Sequence, residues 1–274
     1  MSYSEVTKGT LRRSGSEVHY WLTGPEDGPL IAFTPGATMD HRMFGSQVKA
    51  VTEAGYRTLT WDIRGHGRSK PLGDGEFTVG TCAEDLAALI SAARHEHAVL
   101  VGQSFGGYIS QELYLRRPAL VSAIVIVDST DITVPPNQRE KFILRLTRAF
   151  FRVLPDGARR KLTAKNTAMK PEVQRYAHEA TSLLSKEEFL TVWRAVTRVF
   201  RDEPNHRINV PLLITHGKYD RAGTIAKSSP DWAAKEPDCR YRVIPDAGHN
   251  DNQDNPEYFN KVLLEFLCEN VPVR

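Results

Sequence analysis

Short apolar runs alternate with longer stretches of helical spacing along most of the 274-residue chain. Residues 10–14 and 18–23 read as a β-hairpin turned at Ser14-Gly15-Ser16. Pro29 to Thr34 is an apolar run closed by Pro35-Gly36, which predicts a buried strand with a chain breaker behind it. A helix over 43–54 and a strand over 56–61 follow, then the glycine-punctuated loop Asp62-Ile63-Arg64-Gly65-His66-Gly67-Arg68-Ser69. Residues 78–94 place Ala83, Leu86, Leu89 and Ile90 near one face of an amphipathic helix. Next come a strand over 98–101, a helix over 108–117, and an apolar strand over 119–127 that stops at Asp128.

Between residues 131 and 205 strands disappear, and four helical segments run in series over 137–153, 156–167, 171–184 and 186–201. Alternation then resumes with a strand over 210–215, a helix over 231–236, a strand over 240–244 and a helix over 256–270. Strands alternating with helices predict an α/β fold whose mostly parallel sheet has eight strands and helices on both faces. The chain divides into a first core part (1–130), an all-helical cap or lid (131–205) inserted after the sixth strand, and a second core part (206–274). Such an insertion sits over the carboxyl ends of the strands, where open α/β sheets bind ligands. In the cap, Phe142, Leu146 and Phe150 recur every fourth residue, as do Phe189 and Trp193. They are expected to pack the cap onto the body, with one or two lining a substrate pocket.

Composition narrows the function. Hydrophobic residues make up 41% and charged residues 25%, an ordinary globular balance. No apolar run approaches the roughly 18 residues of a membrane span, so no membrane partner is expected. The formal net charge of +3 is too small to imply nucleic acid. Three cysteines, odd in number and far apart, argue for a reducing compartment. The stretch Met1 to Val6 lacks the pattern of a secretory leader, and the cytoplasm is the expected location. The cap carries 15 Lys and Arg against 9 Asp and Glu. That excess either steers an anionic substrate or, more simply, solvates the outer helix faces.

Gly102-Gln103-Ser104-Phe105-Gly106 has the form G-x-S-x-G between an apolar strand and a helix, the pattern of a nucleophile elbow. A serine hydroxyl is a weak nucleophile until a base takes its proton, and the base must be held in one tautomer by a third group. His249, in Asp246-Ala247-Gly248-His249-Asn250, is the candidate base. Asp220, after the strand over 210–215, is the candidate acid, with Asp128 as its rival. Asp246 and Asp251 flank the histidine and read as turn and cap residues. Arg64 and His66 read as structural supports of the Gly65/Gly67 loop, and His95 and His97 as surface loop residues rather than metal ligands. Hence no metal is expected.

With these residues in order Ser104, Asp220, His249, and with Asp62-x-Arg64-Gly65-x-Gly67-x-Ser69 ahead of them, the whole chain resembles a cap-bearing α/β-hydrolase. The resemblance implies a serine hydrolase with no cofactor, acting on a small-to-medium carboxylic ester or related small-molecule acyl substrate. It also implies an oxyanion hole made by the N–H groups of Ala37 and Phe105. Pro35-Gly36 stands where that family commonly has His-Gly, but the donor is main chain and survives the change. Gly36, Met39 and His41 are the candidate pocket residues, although His41 is read more simply as a solvated loop side chain. Carbon–carbon bond hydrolysis, lactone hydrolysis, perhydrolysis, peptide cleavage and acyl transfer use the same triad and stay open. So does a non-catalytic ligand receptor on the same scaffold. Serine at 104 argues against the members of this fold that use an aspartate nucleophile.

Overall fold

Apolar side chains alternate between the two faces of every central strand, and both faces are covered. The computed structural model describes residues 6–273; residues 1–5, where most of the leader pattern was sought, lie outside the described part. Strands β1 (Thr7–Arg13) and β2 (Ser16–Thr23) form the antiparallel hairpin, and β2 pairs antiparallel with β4 (Arg57–Trp61). The others, β3 (Leu30–Thr34), β5 (Ala98–Gln103), β6 (Val121–Val127), β7 (Leu212–Gly217) and β8 (Cys239–Ile244), run parallel with β4 in the order β1-β2-β4-β3-β5-β6-β7-β8. On one face Ala32, Leu100, Ile124 and Ile214 enter a core with helices α2 (Val79–Ala92) and α3 (Phe105–Arg116). On the other, Phe33, Val101, Val125 and Leu213 pack with α1 (Gly45–Glu53) and α10 (Pro256–Asn270). The expected mostly parallel, eight-stranded α/β sheet is what forms.

The chain runs from β3 out to β4 and returns as β5 on β3's other side, so the sheet reverses direction between β3 and β5. At such a switch point the loops after two neighbouring strands part and leave a crevice at their carboxyl ends. Register keeps those ends level. Thr34 lies opposite Gly102, Gln103 opposite Val127, Val127 opposite Thr215, and Gly217 opposite Ile244. The loops that leave these strands therefore emerge along one edge.

Between β6 and β7 come α4 (Gln138–Val153), α5 (Asp156–Thr167), α6 (Pro171–Ser182) and α7 (Lys186–Arg198). Asn137 with Glu140, and Ser185 with Glu188, form capping boxes that start α4 and α7. The insertion leaves and rejoins the body side by side, since Arg201 and Glu203 donate their N–H groups to the carbonyls of Ile132 and Thr133, each at 2.9 Å. Among the described residues no helix is long and apolar enough to cross a membrane.

Three expectations are corrected. The helix expected over 231–236 is α8 (Ile225–Ala233), which runs through Pro230. Burial of Ile225, Ser229 and Trp232 outweighs the local breaker signal. A short helix, α9 (Asp251–Asp254), follows His249 where none was foreseen. Phe142, Leu146 and Phe150 do not pack the insertion onto the body. They are 58%, 53% and 48% exposed, because α4 meets α7 through Phe151, whose ring lies 5.2 Å from those of both Phe189 and Trp193.

Arg64 and Asp85 form a buried pair, with Nε to Oδ2 at 2.6 Å and Nη2 to Oδ1 at 2.8 Å, that fastens the loop after β4 to α2. Losing one partner strands a charge in the core. Asp85→Ala is therefore expected to lower unfolding stability in urea by about 3–5 kcal/mol. Removing Glu17 from its exposed contact with Arg12 is expected to cost less than about 1 kcal/mol.

Candidate active site

Ser104 sits at the end of β5 with φ 50° and ψ −111°, a backbone conformation that a non-glycine residue adopts only under strain. Three contacts hold it there. Its N–H donates to the Val127 carbonyl at 2.8 Å, and the Ser104 carbonyl accepts from the Ser129 hydroxyl at 2.8 Å. The turn behind it closes on Gly106, where a Cβ would run into the Thr34 and Pro35 carbonyls. The elbow is thus pressed against the end of β3, beside the loop carrying Gly36 and Ala37. Phe105 opens α3, and its N–H has no carbonyl four residues back to bond.

The other two predicted residues arrive from the far side of the sheet. Asp220 follows β7 and His249 follows β8. Asp220 Oδ2 lies 3.1 Å from His249 Nδ1, and His249 Nε2 lies 3.0 Å from Ser104 Oγ. A carboxylate only accepts, so Nδ1 carries the proton and Nε2 is left as an acceptor facing the serine hydroxyl. The Asp220 side chain is fully buried, while Ser104 and His249 keep partial access to solvent. Burial by itself raises the Asp220 pKa. The facing His249, its hydrogen bond, the Ala222 N–H at 2.7 Å and a hydrogen bond from Asp128 outweigh it and hold the carboxyl below its usual range.

Asp128, the rival acid, does different work. Its Oδ1 accepts the Gly217 N–H at 2.9 Å and its Oδ2 the Asp251 N–H at 3.0 Å, so it ties the end of β7 to the start of α9. Burial, together with the charges of Asp251 and Asp220, pushes its pKa well above the ordinary carboxylate value. Asp251 is also fully buried and is likewise raised by burial and by Asp220 and Asp254. Its carboxyl has no hydrogen-bond partner of good geometry among the described residues, so it is more than the cap residue expected. Proton binding is thus favoured at two of the three clustered carboxyls and the negative charge at Asp220, opposite the histidine.

Several supports had no signal in the sequence. Gln103 donates Nε2 to the His249 carbonyl at 2.7 Å, while its Oε1 lies where a Gly36 side chain would be. One amide therefore braces both the histidine loop and the β3 loop. Asp254 accepts the N–H of Gly248 at 2.9 Å and those of Met169 and Lys170 at 2.9 and 3.0 Å, joining the histidine loop to the helical insertion. Thr38 meets Thr181 of α6 at 3.0 Å across the same boundary.

Not every expected residue lines the site. The tight turn Gly36–Met39 buries Met39 in the core cluster that holds Phe33 and Phe44. His41 is not a solvated loop side chain. It stacks on Trp21 at 3.5 Å and donates Nδ1 to the buried Asp62 at 2.8 Å, because that carboxylate needs donors. His66 is buried, and the loss of hydration lowers its pKa to about 4. The His95 ring lies between the carbonyls of Ala93 and Gly28. Among the described residues two groups bring possible metal-ligand atoms within 4.8 Å of one another, Asp40/His41/Asp62 and Asp128/Asp220/His249. In the first, Arg42 and backbone N–H groups already occupy the carboxylates; the second is the site itself.

The raised Asp251 pKa has a pH signature. Above about pH 4 the unfolded carboxyl ionises while the folded one keeps its proton, so its contribution to stability falls as pH rises. Asp251→Asn removes that loss. Relative to the parent, the variant is expected to gain unfolding free energy steadily from about pH 4 towards neutrality. A difference independent of pH would contradict the assignment.

Comparison with known proteins agrees with this architecture. The family described as "alpha/beta hydrolase fold" matches residues 29–256. The 3-oxoadipate enol-lactonase 1 of Acinetobacter baylyi is 23% identical over 256 residues, covering 93% of this chain and 94% of its own. A thermophilic esterase from Thermogutta terrifontis superposes with a TM-score of 0.83 at 21% identity, over 96% of this chain and 98% of that one. A bromoperoxidase from Bacillus anthracis gives a TM-score of 0.85 at 20% identity, over 95% and 99% of the two chains. The chain belongs to the alpha/beta hydrolase fold family of enzymes.

Proposed function

We propose that the protein is a serine hydrolase that cleaves a small-to-medium carboxylic ester through an acyl-enzyme on Ser104. The observation that carries this reading is the unbroken line from Asp220 through His249 to Ser104, with contacts of 3.1 and 3.0 Å. His249 Nε2 takes the hydroxyl proton as Ser104 Oγ attacks the ester carbonyl. Asp220 holds Nδ1 and stabilises the imidazolium that forms. The N–H groups of Ala37 and Phe105 receive the developing oxyanion, the second at the positive end of α3. His249 then returns the proton to the leaving alcohol, and the same nitrogen activates the water that releases the acid. No cofactor enters this sequence, and the helical insertion acts as the cap over the strand ends.

Resemblance to a lactonase favours one second reading, a cyclic ester as substrate. A lactone is an internal ester, so the same residues serve without change and only the leaving alkoxide stays attached to the product.

Hydrolysis of short-chain nitrophenyl esters tests the assignment. Ser104→Ala and His249→Ala are each expected to lower kcat/KM by about six orders of magnitude. Asp220→Asn is expected to lower it by about four orders of magnitude through the wrong histidine tautomer. Asp128→Asn is expected to cost much less. A larger loss at Asp128 than at Asp220 would reverse the choice of acid, and full activity in Ser104→Ala would remove the mechanism.

A further inference from the structure

Helix α4 carries an apolar face that the rest of the molecule leaves uncovered. Phe142, Ile143, Leu146, Phe150 and Val153 are all about half exposed or more, and none of the sixteen residues of this helix is buried. At about 100° per residue these five fall within one arc of the helix. Glu140, Lys141, Leu144, Thr147, Arg148 and Phe151, the less exposed positions, fall outside that arc towards the other side, and Phe151 is the ring that meets Phe189 and Trp193. The apolar arc therefore points away from the body, not into a seam within it.

Charge identifies what covers it. Arg139, Lys141, Arg145, Arg148 and Arg152 lie on the same helix, against the single acid Glu140, which the capping box engages. Arg145 and Arg152 flank the apolar arc, and Arg139 opens it at the helix start, with a stem long enough to carry its guanidinium to the polar side. Apolar rings and branched chains on one face with cations along the flank is the arrangement of a helix lying in a lipid interface. A second copy of this chain fits poorly, because a two-fold contact through this arc would set Arg139, Arg145 and Arg152 against their own counterparts.

We propose that α4 is an interfacial helix that seats the protein on an anionic phospholipid surface. Its apolar arc enters the acyl boundary, and Arg139, Arg145 and Arg152 meet the headgroup phosphates. The protein then rests on the bilayer without crossing it, which revises the expectation of no membrane partner. The proposal stands apart from the catalytic reading, and Ser104→Ala is expected to bind the same surface as the parent.

Co-sedimentation of the full chain with vesicles of phosphatidylcholine, with and without phosphatidylserine, tests it. The parent is expected to pellet with the anionic vesicles and not with the neutral ones, and raised salt is expected to release it. Each cation near the surface is worth about fivefold in binding, so Arg145→Gln with Arg152→Gln is expected to weaken binding by roughly twenty-five-fold. Phe142→Ser with Leu146→Ser and Phe150→Ser is expected to weaken it at least about tenfold. Phe142, Arg145, Leu146, Phe150 and Arg152 are all exposed, so both variants are expected to keep the parent's circular dichroism and thermal midpoint. Failure of the parent to bind anionic vesicles, or binding that neither variant weakens, would overturn the proposal. So would light scattering that shows a parent dimer which the serine variant dissolves.

Discussion

The level carboxyl edge of the parallel sheet is the constraint on which the rest depends. Hydrogen bonding between neighbouring parallel strands fixes register to within a residue, and a slip of one would turn each strand's side chains to the opposite face. With Thr34 opposite Gly102, and Val127 opposite both Gln103 and Thr215, no such slip is available, since both faces are packed. Residues 145 positions apart, Ser104 and His249, then meet at hydrogen-bond distance without any contact between their own loops having to drive it.

Buried polar side chains refine what register begins. Gln103 braces the histidine loop and the β3 loop with one amide, and Asp254 ties the histidine loop to the helical insertion. Asp128 clamps the N–H at the end of β7 and the one that starts α9 behind His249. These groups cost hydration to bury and return it only when fully bonded, so they hold a single arrangement where apolar contacts alone would allow several. The same burial sorts the protons. Crowding three carboxyls behind one imidazole raises two of them and leaves the charge on Asp220, the one that touches the ring.

Much of this was legible in the sequence because the signals were local or ordered. An apolar run ending in Gly102-Gln103-Ser104 specifies a strand and a tight turn, and His249 between Gly248 and Asn250 has the same strand-then-loop setting. The illegible part depends on partners distant in the chain. Nothing in Asp251 announces a buried carboxyl, and nothing in Gln103 distinguishes a brace from a variable position in a motif. Helical periodicity showed that Phe142, Leu146 and Phe150 share a face, but not which way the face turns, because that is set by Phe151 meeting α7. Pro230 misled for a related reason, since burial of Trp232 and Ile225 decided where the helix lies.

The central claim is that His249, placed by the sheet edge, makes the hydroxyl of Ser104 a nucleophile. Treatment with a fluorophosphonate followed by mass spectrometry of the digested protein addresses it most directly. The account predicts one phosphonyl adduct on the peptide containing Ser104 in the parent, and none at the same exposure time in His249→Ala. An adduct on another residue, or labelling of Ser104 that proceeds equally fast without the imidazole, would contradict it.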